Sequence, residues 1–245
     1  MVMQNDWFSV WFGSKYYPIL YKNRDDHEAF RFISRVVEDL ELEEGMRVLD
    51  LACGRGRHAR YLNKLNLDVL GLDISEESIK DAKKYENRSL SFKVHDMRDP
   101  FPVNNLNVVC NLFTSFGYFN DTNSNLSVLH NINQSLVKGG VLVLDYLNAY
   151  KVIEQLVREE EKLINGVKFK IKRYIKDHRI FKEIEIFDEN YHETFTEKVQ
   201  AIDLETFEKL LNIAGFRIYQ LWGEYDASPF SKIDSSRLII FSQKI

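Results

Sequence analysis

The amino-acid sequence predicts a doubly wound α/β fold, an open and mostly parallel sheet with helices on both faces, carrying an antiparallel β insertion late in the chain. Three features carry that expectation. Strand-like apolar runs alternate with helical patterns along much of the 245 residues. One of those runs, Arg47 to Leu51, passes through a glycine turn into a helix. Between residues 167 and 201 the apolar period changes to two.

Taken in order, Asp25 to Leu40 is predicted as a helix, with Asp25 and Glu28 as a capping box and Phe30, Ile33, Val37 and Leu40 on one face. RVLDLACGRGRHA follows, from Arg47 to Ala59. Val48, Leu49 and Leu51 suit a strand buried on both faces, Gly54 and Gly56 allow a tight turn, and a helix can start at Arg57. Asp68 to Ile74 and Leu90 to Val94 read as the next two strands, and Asn107 to Phe113 as the fourth. A helix from Ser124 to Leu136 is expected to end at Gly139 and Gly140, before a fifth strand from Val141 to Leu147. Val167, Phe169 and Ile171 then alternate with Lys168, Lys170 and Lys172, and Ile180 to Asp188 and Tyr191 to Ala201 alternate likewise. A three-stranded meander follows from the polar turns between them. Its lysines are expected to pair with Glu183, Glu185, Glu193 and Glu197 on a solvated face, and its apolar face to cover the substrate pocket or a second subunit. Leu204 to Ala214 returns to helical spacing, and strands from Phe216 to Tyr225 and Arg237 to Gln243 close the sheet. The expected division is 1–45 as an N-terminal helical segment, 46–150 as the core, 151–201 as the insertion and 202–245 as the end of the core sheet.

Composition narrows the function. A formal charge of −4 disfavours nucleic acid as a partner, and no run is long and apolar enough to span a membrane. The N-terminus lacks a signal pattern, so a cytoplasmic protein is expected, with Cys53 and Cys110 as reduced thiols. Cys and His do not cluster at ligand spacing, and no metal is expected.

Chemistry enters through the acids at the strand ends. Read as Gly54-x-Gly56-x-x-Ala59, the turn fits a dinucleotide fingerprint, but Asp50 at the strand's end would repel a pyrophosphate. The same carboxylate would attract the ammonium and sulfonium of S-adenosylmethionine. Asp73 ends the second strand, where an acid can accept both ribose hydroxyls, and Asp96 follows the third, beside Met97, where it could meet an adenine amino group. With acids ending three successive strands, the chain from about Val48 onward resembles a class I S-adenosylmethionine-dependent methyltransferase with a Rossmann-like core.

That resemblance implies a seven-stranded sheet with the last strand antiparallel. It implies a cofactor set of Asp50, Ala52, Cys53, Gly54 and Gly56, then Asp73 with Ile74, Asp96 with Met97, and Asn111 and Phe113 at the fourth strand's end. Ala52 stands where many members have glycine. In relatives the N-terminal segment covers the cofactor, which makes Tyr16, Tyr17 and Arg24 lid candidates, although these aromatics could equally pack the helix onto the domain. The loop after the fourth strand, with Phe116, Gly117 and Tyr118, should face the transferable methyl, and Tyr17, Phe116, Tyr118, Tyr146 and His192 form the expected acceptor set. His95, Tyr118, Tyr146 and His192 could take a proton by location, and no catalytic residue is assigned. Asn111-Leu112-Phe113-Thr114 differs from the Asn/Asp-Pro-Pro-Tyr motif of methylases of nucleobase amines, which points to a small-molecule N or O acceptor. A nicotinamide-dependent oxidoreductase and a non-catalytic binder remain as alternatives, and the chain is expected to be a monomer or a homodimer through the insertion.

Overall fold

The computed structural model describes residues 7–22, 26–119, 121–189 and 191–245, so Arg24 and the expected helix start at Asp25 lie outside the described residues. Two short helices, α1 (Trp7–Gly13) and α2 (Tyr17–Leu20), precede α3 (Asp26–Asp39). The buried face of α3 is Ala29, Phe32, Ile33 and Val36, while Phe30 turns outward onto Tyr61. The expected stripe is thus rotated by part of a turn, because Phe32 and Val36 are the side chains that reach the sheet.

Strand β1 (Arg47–Leu51) leads through the glycine turn into α4 (Arg57–Lys64), and β2 (Asp68–Asp73) into α5 (Glu76–Ala82). After β3 (Leu90–Val94) come β4 (Leu106–Asn111), α6 (Thr122–Ser135) and β5 (Leu136–Leu147). Here the structure corrects one boundary: Gly139 and Gly140 do not end the helix but lie inside β5. Pairing with β4 jumps from Leu106↔Leu136 to Val108↔Val141, and Gly139 has φ +76°, so the glycines form a bulge.

A short helix α7 (Ala149–Glu154) leads into the insertion, which has four strands where three are expected: β6 (Glu159–Ile164), β7 (Val167–Lys176), β8 (Arg179–Asp188) and β9 (Tyr191–Gln200). They form an antiparallel meander, and positive φ at Asp177 and His178 makes the β7–β8 connection a tight hairpin. Then α8 (Leu204–Ile213), β10 (Phe216–Trp222) and β11 (Arg237–Lys244) complete the core. The large sheet runs β10-β11-β5-β4-β1-β2-β3, with β11 antiparallel to both neighbours and the other core pairings parallel, as expected.

Burial on both faces explains why β1 is almost wholly apolar. Val48 joins the layer formed with α3, α4 and α5, and Leu49 and Leu51 join the layer formed with α6 and α8. A third cluster joins Trp11, Tyr16 and Leu20 to Phe169, Ile184 and Phe195 of the insertion. The apolar face of the meander is therefore covered by the chain's own N-terminal helices.

Candidate cofactor and acceptor site

Strand order reverses between β1 and β4, and the crevice beyond their carboxyl ends is where open parallel sheets receive ligands. A cleft of about 640 Å³ lies there, within the range of small-molecule sites. Its floor is the turn after β1. Ala52, Gly54 and Gly56 all have positive φ, at +61°, +55° and +77°, so alanine at 52 holds a conformation that glycine adopts without cost. A Cβ at Gly54 would meet nothing within 4 Å, which means that the backbone there faces open space.

The three acids tie this floor together. Asp50 is buried, and its Oδ2 accepts the Ala59 N–H of α4 at 2.9 Å. Burial pushes its pKa up to about 7, against the pull of that hydrogen bond. Asp73 accepts the Gly54 N–H and the Ser75 N–H, each at 2.8 Å, and burial raises its pKa against these bonds. Asp96 lies under Arg98, whose Nε is 3.0 Å from both carboxylate oxygens. Burial raises its pKa, and the Arg98 contacts outweigh this to give a net lowering. Part of the hydrogen-bonding capacity expected to face a ligand is thus already spent on the protein's own backbone and on Arg98.

Most of the expected cofactor set lines this cleft: Asp50, Ala52, Cys53 and Gly54 at the turn, Asp73 with Ile74, Asp96 with Met97, and Phe113. Phe113 is sandwiched between His58 and Tyr225, with ring centroids at 5.0 and 5.3 Å. Three expected members do not line it. Gly56 turns toward the core, where a Cβ would lie 2.6 Å from the Phe92 ring. Asn111 is buried between strands, donating to the Leu51 carbonyl at 3.1 Å, with its Oδ1 lacking a partner. Tyr16 faces the insertion instead, its hydroxyl donating to Asp188 at 2.9 Å and its ring stacked on Tyr191.

The acceptor set divides more sharply. Tyr17 and Tyr118 line the cleft. Phe116 and Tyr146 do not, because both rings pack against Phe207 of α8, and the Tyr146 hydroxyl donates to the Gln200 carbonyl at 2.5 Å. His192 stacks on Phe187 at the solvent side of the insertion, with a side chain 60% exposed.

Other residues in the wall were not anticipated. Trp7, Phe8 and Phe12 of α1 meet Tyr118, with centroids 5.1 to 6.1 Å apart, and form an aromatic wall of the cleft. Arg237 of β11 donates to Asp145 at 2.8 Å and to Thr114 at 2.9 Å, while Asp145 accepts the Phe113 N–H at 2.9 Å. This network fixes the β4 loop, whose Phe113 and Thr114 both have positive φ. Glu197 of β9 also lines the cleft. The register sets Lys182 opposite Glu197, and Ile184 and Ile180 opposite Phe195 and Val199. Glu193 and Glu197 therefore share the face of Phe195; of the four expected partners Glu183 and Glu185 lie opposite lysines of β7, whose other side faces Glu159 and Glu161 of β6. The signal was legible in the chain, since an acid alternates in register with Phe195 and Val199.

Acidic strand tips, an open glycine and a partly apolar wall suit a ligand with two positive centres, ribose hydroxyls and an adenine ring. The family model described as a methyltransferase domain matches residues 42–206. The chain is 32% identical over 104 residues to the dTDP-3-amino-3,4,6-trideoxy-alpha-D-glucopyranose N,N-dimethyltransferase of Streptomyces venezuelae, covering 42% of this chain and 43% of that protein. Its fold is similar to that of an S-adenosylmethionine-dependent methyltransferase from Clostridium acetobutylicum, with a TM-score of 0.79 at 19% identity over 94% of this chain and 96% of the other. It is similar also to an amino pentose methyltransferase from Micromonospora echinaspora, with a TM-score of 0.71 at 17% identity over 95% and 98%. With this match across the cofactor half of the cleft, the chain belongs to the methyltransferase-domain family and is an S-adenosylmethionine-dependent methyltransferase.

Proposed function

We propose that the protein methylates the nitrogen of a small-molecule amine, of the amino-sugar kind. The observation that carries this reading is the aromatic wall of Trp7, Phe12, Tyr17 and Tyr118, which lines the same cleft as the acid strand tips. The relative with a named sugar amine as its acceptor supports the same class.

In this reading Asp73 would hold the ribose, Asp96 and Met97 the adenine, and Asp50 with the 52–54 turn the methionine end. S-adenosylmethionine supplies an electrophilic methyl on a sulfonium. The chain's own task is to bring the acceptor lone pair about 3 Å from that carbon and in line with the bond that breaks. The β4 loop, braced by Arg237 and Asp145, fixes one wall, and α1 closes the other against water. An ammonium has no lone pair to offer, so the acceptor reacts as the neutral amine: its proton passes to water as it leaves bulk solvent, and the loss of hydration favours the neutral form. The segment 1–45 acts as the lid and 151–201 as the acceptor-side wall of a core formed by 46–150 and 202–245.

The test is release of S-adenosylhomocysteine with a panel of amino sugars and other amines beside analogues bearing hydroxyl in place of the amine. Turnover confined to amines is expected. Turnover of the hydroxyl compounds alone would overturn the reading.

A further inference from the structure

The apolar face of the insertion is crossed by a charged row: Lys182 of β8 lies between Glu197 of β9 and Arg173 of β7, and Arg173 is held by Glu160 at 2.7 Å. Glu197 lies between Phe195 and Val199 on β9, and opposite it Lys182 lies between Ile180 and Ile184 on β8. Both are largely buried, with side chains 19% and 15% exposed. An ion pair at such a position gains little for stability over an apolar pair, which directs attention to what else it does.

Glu197 Oε1 accepts the Trp11 Nε1–H at 2.7 Å and the Tyr21 hydroxyl at 2.6 Å. The Lys182 ammonium lies 3.6 Å from Oε2, donates to the Tyr21 hydroxyl at 2.5 Å and sits 4.5 Å from the centroid of that ring. The corner thus combines a carboxylate with an aromatic face, and it already accommodates one alkylammonium. Glu197 and Tyr21 line the cleft, and the Tyr21 ring lies 4.9 Å from that of Tyr17 in the aromatic wall.

We propose that Glu197 is a specificity-determining residue that holds a cationic amine at the insertion end of the cleft, in competition with Lys182 for the same carboxylate. The inference rests on the acceptor being an amine and assigns its recognition to one side chain. A protonated amine is held at the carboxylate on entry and gives its proton to water before its lone pair meets the methyl.

The probe is tetramethylammonium, with tert-butanol as an uncharged control, titrated into the full chain saturated with S-adenosylhomocysteine and followed by tryptophan fluorescence. Trp7 and Trp11 stand beside the site. Wild type is expected to prefer tetramethylammonium. Glu197→Gln, which keeps an acceptor oxygen for Trp11 and Tyr21, should bind it about tenfold more weakly or worse. Lys182→Met should bind it more tightly. Equal binding of the two probes, unchanged binding by Glu197→Gln, or weakening by Lys182→Met would overturn the proposal, since a merely structural pair moves both variants the same way. If Glu197→Gln fails to bind S-adenosylhomocysteine, Lys182→Met alone decides by the sign of its change. A hydroxyl acceptor found in turnover, with the probe still bound through Glu197, would end the amine reading and with it the specificity role, leaving only a cation-binding carboxylate. Amine turnover with probe binding indifferent to Glu197 would leave the amine reading and end this one.

Discussion

Asp50 is under opposite demands on its charge. The Ala59 N–H and a cationic ligand both favour the carboxylate, while burial favours the acid and moves the pKa from the usual 3.8 to about 7. A folded value above the unfolded one means that the contribution to stability is fully present below about pH 4 and is lost as pH rises through 7. The difference between these limits is on the order of 4 kcal/mol. Asp50→Asn keeps an oxygen for Ala59 and removes the titration. Its stability relative to wild type, measured by denaturant unfolding, should therefore rise between about pH 4 and 7 and level off above. Cofactor affinity of wild type should increase through the same window as Asp50 ionises, and the Asn variant should lack that increase. A flat calorimetric profile in wild type would remove Asp50 from the cofactor's surroundings. Asp73 differs in that its carboxylate supports the turn directly through Gly54 and Ser75. Asp73→Ala should weaken S-adenosylhomocysteine binding by about 1.5–3 kcal/mol and also lower the unfolding free energy. Loss of affinity with full stability would mean that the two hydrogen bonds contribute nothing to the fold.

At the scale of the element, the turn between β1 and α4 separates two uses of glycine. Gly54→Ala would place its methyl in open cleft, with a strained φ of +55° as the main conformational cost, about 1 kcal/mol. Gly56→Ala would drive a methyl to 2.6 Å from Phe92 at φ +77°, adding about 1–3 kcal/mol of overpacking to the same backbone cost. Thermal unfolding and calorimetry on the two variants should diverge: Gly54→Ala loses chiefly affinity, Gly56→Ala chiefly stability. Equal losses of both kinds in the two variants would refute the division. The elements themselves were legible wherever a period was clean, as in β1, β2, β3 and the alternation of β7. They were missed where charge hid it, as in β6, whose EEEKLI carries four charged residues. Side-chain direction was harder to read than element type. Tyr146 follows Asp145 in β5, and alternation sends the tyrosine to the α8 layer while the acid meets Arg237 below the cleft. Tyr16 and Tyr17 are parted in the same way, one onto the insertion and one into the cleft. Position near a strand tip identifies the neighbourhood of a site, whereas membership depends on which face a side chain takes.

The whole molecule places its ligand cleft where separately packed units meet. The core sheet supplies the acid tips, the N-terminal helices supply rings, and the insertion supplies Glu197 and Val199. The third cluster of apolar packing ties those helices to the insertion, while Phe8 joins the core cluster, so the N-terminal helices bridge both sheets. A ligand that touches all these surfaces binds the native state and not the unfolded chain. Saturation at about a hundredfold excess over Kd then adds roughly 2.7 kcal/mol to unfolding. For a chain of this size that corresponds to a rise in Tm of about 5–10 °C. S-adenosylhomocysteine should produce that rise in a thermal scan, and NAD at the same concentration should produce none, because a pyrophosphate would lie against Asp50 and Asp73 at the floor of the cleft. A comparable shift with NAD would mean that the acids do not set the sign of the charge accepted there. A single transition in both scans is expected, since the N-terminal helices pack on both sheets; two transitions, with only one moved by S-adenosylhomocysteine, would mean that the insertion unfolds apart from the core and that those helices stay with one of them.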